Sequence, residues 1–164
     1  MQEISKEKIN SVIELFSNGN FDAALNTLED LSKDYPKESL LFNIKGACYA
    51  GLGQLDNAVK SYQDAIIINP NYSKAHYNLG GALQEMGALD ESVQSYLKSL
   101  MIEPDYAEAH NNLGNVYRQQ KLLDKAVNSY MRAISINPDY VEAHYSIGLV
   151  FQDLGQIDSM ISHI

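Results

Sequence analysis

Ala107-Glu-Ala-His110-Asn-Asn-Leu113-Gly114-Asn-Val-Tyr117, followed by Ala126-Val-Asn-Ser-Tyr130 and then Pro138, is the stretch that decides the fold. Its residue types return at a fixed step of 34 along the chain. The prolines are Pro36, Pro70, Pro104 and Pro138, one step apart each time. Gly46, Gly80, Gly114 and Gly148 keep one register; Gly19, Gly53, Gly87 and Gly155 keep another, with Lys121 in place of glycine in the fourth unit. Asp22, Asp56, Asp90, Asp124 and Asp158 form an unbroken column, as do Tyr62, Tyr96 and Tyr130, and Tyr72, Tyr106 and Tyr140. Self-similarity at one period marks a stack of supersecondary units.

Within a unit the apolar spacing is helical. Ala75, Leu79, Ala82, Leu83 and Met86 fall at i, i+4, i+7, i+8 and i+11, and Leu89, Val93, Tyr96, Leu97 and Leu100 repeat the template, as do Leu123, Val127, Tyr130, Met131 and Ile134. A 3.6-residue apolar stripe without alternation predicts amphipathic helices, two per unit, and an all-α fold. Gly87 supplies the left-handed residue that ends the first helix. Asp90 stands in or just before the first turn of the second, where a carboxylate meets free N–H groups. Pro104 ends that helix, and Glu103 before it is pushed towards extended geometry.

The 164 residues suit one domain, with 45% hydrophobic, 20% charged and 9% aromatic side chains. Twelve Lys and Arg against 21 Asp and Glu give a net charge of −9. Such a surface repels phosphate backbones and anionic headgroups, so neither nucleic acid nor membrane is expected as a partner. No apolar run approaches the length of a membrane span, and Met1–Lys8 lacks the apolar core of a signal peptide. With Cys48 the single cysteine, the expected setting is reduced and cytoplasmic.

The fourth unit, with His110, Leu113, Gly114, Tyr117, Ala126, Tyr130 and Pro138, resembles the tetratricopeptide pattern W-x₂-L-G-x₂-Y…A-x₃-F…P. The third matches through His76, Leu79, Gly80, Ser92, Tyr96 and Pro104. The second does so through Phe42, Gly46, Tyr49, Ala58, Tyr62 and Pro70, with Lys45 at the leucine position. The first keeps Leu15, Gly19, Ala24, Leu28 and Pro36; the fifth begins with His144, Ile147, Gly148 and Phe151. The resemblance implies a single α-solenoid array over 1–164, a right-handed superhelix of about 4.5 repeats at 5–38, 39–72, 73–106, 107–140 and a partial 141–164. The glycines at Gly46, Gly80, Gly114 and Gly148 would let paired helices approach, and Tyr62, Tyr96 and Tyr130 would fill the space between them.

In tetratricopeptide proteins the first helices line a concave groove. Carried onto this chain, the groove positions are Asn43, Lys74, Tyr77, Asn78, Gln84, Asn111, Asn112, Asn115, Arg118, Gln119, Tyr145 and Ser146. Carboxamides there match the alternating donors and acceptors of an extended peptide. Asn10, Asn78 and Asn112 share a column that resembles the asparagine ladder of the O-linked N-acetylglucosamine transferase repeats; Ile44 and Ser146 interrupt it. Family members that clamp an acidic chaperone tail carry Lys and Arg where this chain has Glu108 and Glu142, so that ligand is not expected. The resemblance implies a non-catalytic module that binds an extended peptide or partner protein, with Tyr77 and Tyr145 as anchors and Arg118 as a charge contact.

No site chemistry competes with this. His76, His110 and His144 sit one repeat apart, too far for imidazoles to converge on zinc, and occupy a packing column. Glu108 and His110, or Glu142 and His144, point to different helix faces. Gly51-Leu-Gly53 has no later glycine or preceding strand and reads as a helix-ending turn. Cys48 reads as a buried filler without a nucleophile's partner, and no two acids share a cleft for acid–base work. No catalytic residue, metal or cofactor is expected. The apolar end, Ser159-Met-Ile-Ser-His-Ile164, lacks the polar cap of a closed solenoid. It suggests a piece of a longer protein, such as the substrate-recruiting arm of a transferase, or a face for self-association.

Overall fold

The computed structural model describes residues 4–161, with side chains over 4–155. Among the described residues there are nine α-helices and no strand, the all-α helical-repeat class. The chain divides into two compact units between Gly87 and Ala88. That division falls inside the third repeat, between its two helices.

The first unit holds α1 (Lys6–Ser17), α2 (Phe21–Asp34), α3 (Ser39–Gly51), α4 (Leu55–Ile68) and α5 (Ser73–Glu85). Ser5 caps α1 by accepting from the Lys8 N–H at 3.4 Å, and Glu38 caps α3 from the Leu40 N–H at 3.4 Å. The second helices α2 and α4 have no such side-chain cap. Asp22 and Asp56 are their second residues, and a carboxylate there acts on the helix dipole. Gly19 and Gly53, at φ 74° and 73°, close the turns. The Asn20 and Gln54 N–H groups reach back to the Leu15 and Tyr49 carbonyls at 2.9 Å, satisfying helix-end acceptors.

Among the described residues of this unit, two apolar clusters stand out. Val12, Ala24, Leu28, Leu31, Leu41, Ile44 and Cys48 form one; Ala58, Tyr62, Leu79 and Ala82 form the other. A Cβ built at Gly46 would lie 2.5 Å from the Tyr62 ring. Helices α3 and α4 approach closely because that position has no side chain and the ring occupies its place.

The second unit holds α6 (Leu89–Ile102), α7 (Ala107–Gln119), α8 (Leu123–Ile136) and α9 (Val141–Ile161). Asp90 and Asp124 again stand second in uncapped helices. The α7–α8 turn keeps the hydrogen bond from the Leu122 N–H to the Tyr117 carbonyl at 2.8 Å, but its left-handed residue is Lys121, at φ 63°. A side chain in that conformation costs about 1–2 kcal/mol. Leu123, Ala126, Tyr130 and Val150 form one apolar cluster of its core, and a Cβ at Gly114 would meet the Tyr130 ring at 2.6 Å.

Helix α9 departs from the period. The turn expected at Gly155 is absent, and the helix runs on to Ile161. Among the described residues Gly148 has nothing within 4 Å of its Cβ position, and Val141 and Phe151 are 73% and 61% exposed.

Candidate protein-interaction site

Within the first unit, α3 and α5 are neighbouring first helices. Asn43 on α3 is buried, and its Oδ1 accepts from the Asn78 Nδ2 at 3.0 Å; its amide also bonds the Tyr72 hydroxyl. Two groove candidates are thus spent on each other as a seam between repeats. Lys74 is exposed and sets its Nζ 5.0 Å from the Tyr77 ring centroid, a cation–π contact. Tyr77, Asn78 and Gln84 are half-buried.

In the second unit α7 and α9 make the equivalent pair. Arg118 Nε donates to Asp153 Oδ2 at 2.7 Å. That bond holds the Asp153 carboxyl below its usual range and raises the Arg118 guanidinium. Both side chains keep contact with water, so the pair contributes modestly to stability. Tyr130 donates its hydroxyl to Asn115 Oδ1 at 2.7 Å and also bonds Ser146. Burial pushes the Tyr130 phenol up. Asn112 and Asn115 are half-buried, Gln119 is exposed, Tyr145 is 68% exposed, and Ser146 is buried.

Asn111 stands apart. It is 5% exposed, and its Nδ2 lies 3.5 Å from Asn112 Oδ1. Its own Oδ1 is buried without a hydrogen-bond partner. The Asn43–Asn78 and Arg118–Asp153 contacts share a sequence separation of 35 residues, one repeat plus one. The residue 35 positions after Asn111 is Ser146, whose side chain is short and bonded to Tyr130.

Several of these partners were not among the sequence candidates: Asp153, Tyr130, Tyr72 and the proline carbonyls. His76, His110 and His144 each direct Nε2 at the carbonyl six residues before, that of Pro70, Pro104 and Pro138, at 2.9, 2.8 and 2.8 Å. The histidine column clips the loop that precedes each first helix. Burial lowers the His110 pKa, against the opposing pull of the Pro104 carbonyl. Among the described residues no three His, Cys, Asp or Glu side chains gather as metal ligands would. Burial pushes the Cys48 thiol up to about 11, which leaves it protonated at neutral pH. No helix over the described residues is long and apolar enough to cross a membrane.

Stacked pairs of amphipathic helices with polar first-helix faces define a helical-repeat protein of the interaction class. The family model described as "TPR repeat" matches residues 46–87, 82–121 and 114–155. The chain belongs to the tetratricopeptide repeat family. Human "Tetratricopeptide repeat protein 6" is 39% identical over 62 residues, 38% of this chain; the matched part spans only 12% of that relative's length. Among solved structures, "Crystal structure of MamA" matches at a TM-score of 0.82 and 24% identity, covering 98% of this chain and 91% of that one. "First TPR of Spaghetti (RPAP3) bound to HSP90 peptide SRMEEVD" matches at 0.70 and 19% identity, over 72% of this chain and 94% of that one. These likenesses concern the fold. Tetratricopeptide repeats bind protein partners and are generally non-catalytic scaffolds.

Proposed function

We propose that this chain holds an extended segment of a partner protein along its first helices. The supporting observation is the half-open polar face of α7 and α9. There Asn112, Asn115, Gln119 and Tyr145 keep access to solvent while the apolar stripes beneath them are buried. Carboxamides at repeat spacing offer paired donors and acceptors to a peptide backbone, and an exposed tyrosine supplies an anchor that loses little entropy on binding. That a tetratricopeptide domain of Spaghetti takes an HSP90 peptide supports the mode. The acids Glu108 and Glu142 argue against an acidic ligand of that kind here.

The test is capture of partners by the wild-type chain and by Asn112→Ala/Tyr145→Ala, with a circular-dichroism melt to check folding. Asn78 is a poorer probe, because its amide also holds Asn43. A partner lost only by the folded variant supports the reading; the same partners on both baits refute it. A second reading, self-association through α9, is favoured by the exposed Val141 and Phe151 beside the open Gly148 surface. Phe151→Glu would then lower the sedimentation mass, and an unchanged mass discards the idea.

A further inference from the structure

Gly19, Gly53 and Gly87 hold the same place in three successive turns, at φ 74°, 73° and 78°. The residues before them are Asn18, Leu52 and Met86, and the sequence has no other Asn-Gly pair. Only the turn between α1 and α2 therefore sets a carboxamide ahead of glycine. A glycine nitrogen has no neighbouring Cβ to shield it, and once freed it attacks the side-chain carbon of the asparagine before it, closing a cyclic imide. In the folded turn that attack is held off. Asn18 lies at φ −83° and ψ 1°, which eclipses the Gly19 nitrogen with the Asn18 nitrogen and turns it away from Cβ. The Gly19 N–H is also bonded to the Phe16 carbonyl at 2.9 Å, and the Asn20 N–H to the Leu15 carbonyl at 2.9 Å. Asn18 itself is exposed, so water reaches its amide. Behind the turn, Val12 of α1 is fully buried in one cluster with Ala24, Leu28 and Cys48.

We propose that Asn18-Gly19 is a self-modification site that takes water as its co-reactant and acts as a one-way timer on the first repeat. When the turn opens, the Gly19 nitrogen bonds to Asn18 Cγ, the Cγ–Nδ2 bond breaks, and the N–H proton leaves with Nδ2 as ammonia. Water then splits the imide. Attack at Cγ leaves aspartate; attack at the backbone carbonyl leaves isoaspartate. The net change is amide plus water to carboxylic acid plus ammonia, with nothing oxidised or reduced. Isoaspartate routes the main chain through the side chain and adds an atom before Gly19, so the paired bonds to Phe16 and Leu15 no longer fit together. Either product also sets a carboxylate at the C-terminus of α1, the negative end of the helix dipole. Helix α1 then reseats Val12 less often, and the cluster around Cys48 stays open for longer.

Ageing the full chain in neutral buffer tests this, with conversion at each asparagine read by tandem mass spectrometry and isoaspartate by enzymatic methyl transfer. Chain unfolded in guanidinium is expected to convert at Asn18 ahead of every other asparagine. The folded chain should convert there at least about tenfold more slowly, because it reacts only through the opened turn. Aged chain should label at Cys48 faster than fresh chain, in proportion to conversion. Aged Asn18→Leu, which carries the residue type of Leu52 in the next turn, should label as it does when fresh. If that variant does not fold, Asn18→Gln takes its place, since its longer side chain closes the larger ring far more slowly. Equal rates in folded and unfolded chain would overturn the gate, and conversion spread evenly over other asparagines would overturn the site. Converted chain that labels at the fresh rate would overturn the timer, and any of the three sinks the proposal.

Discussion

Replacing Ser146 by asparagine should repair the seam of the second unit. In the first unit Asn78 delivers its Nδ2 to Asn43 Oδ1 at 3.0 Å. In the second, Asn111 holds the Asn43 register and Ser146 the Asn78 register, and the Asn111 oxygen is unpartnered. An unmet buried acceptor costs about 1–3 kcal/mol, and a new neutral hydrogen bond contributes about 0.5–1.5 kcal/mol net. Against this, Tyr130 loses its contact with Ser146 but keeps Asn115 at 2.7 Å, and the longer side chain must fit a buried position. The expected balance is a gain of about 1 kcal/mol, or roughly 2–4 °C for a chain of this length. Because repeat arrays open piecewise, native-state hydrogen exchange of α7 and α9 amides is the sharper assay. The reciprocal change, Asn78→Ser, removes the donor from Asn43 and should cost the first unit about 1–2 kcal/mol. If Ser146→Asn leaves α7 and α9 protection unchanged or lower, and Asn78→Ser is also silent, the seam account is wrong.

Gly114→Ala should destabilise the second unit by about 1–3 kcal/mol, because its Cβ would meet the fully buried Tyr130 ring. Gly148→Ala should be neutral or stabilising by up to about 1 kcal/mol, so equal melts for the two would refute the close-approach argument. Lys121→Gly relieves the left-handed strain at φ 63° and should stabilise by about 0.5–1 kcal/mol after the glycine's entropy cost; a lower melting temperature would count against it. Burial depresses the His110 pKa, so the unfolded chain takes up the proton first. Stability is then full above the unfolded value, about 6.5, and falls as pH drops through it towards the folded value. His110→Gln should flatten that slope in denaturant titrations, and an unchanged slope would remove the histidine from the account. Cys48 should react with a thiol reagent only as fast as the first unit opens, and rapid labelling of native protein would contradict its burial.

The helical class and the Tyr62–Gly46 and Tyr130–Gly114 packing were legible because they recur every 34 residues, and recurrence multiplies a weak signal. Contacts between repeats were harder. Asn43–Asn78 and Arg118–Asp153 follow a step of one repeat plus one, which a column alignment does not display. It took side-chain direction to see that Asn43 and Asn78 are bonded together instead of both facing solvent. Asp22, Asp56, Asp90 and Asp124 stand in first turns, whereas Asp158 lies within the continuous α9, and Glu38 and Ser5 do the side-chain capping. Helix α9 runs past the stop expected at Gly155 because glycine permits a turn without enforcing one.

The histidine clips have a consequence for how the chain is made. Each bond closes a loop of six residues, so it can form as soon as a few further residues have left the ribosome. Junctions between repeats can thus take shape in order of synthesis, long before distant parts of the chain exist. Fixing each bend with local information keeps the search short. Nascent first helices then spend little time with their apolar stripes on offer to the wrong neighbour.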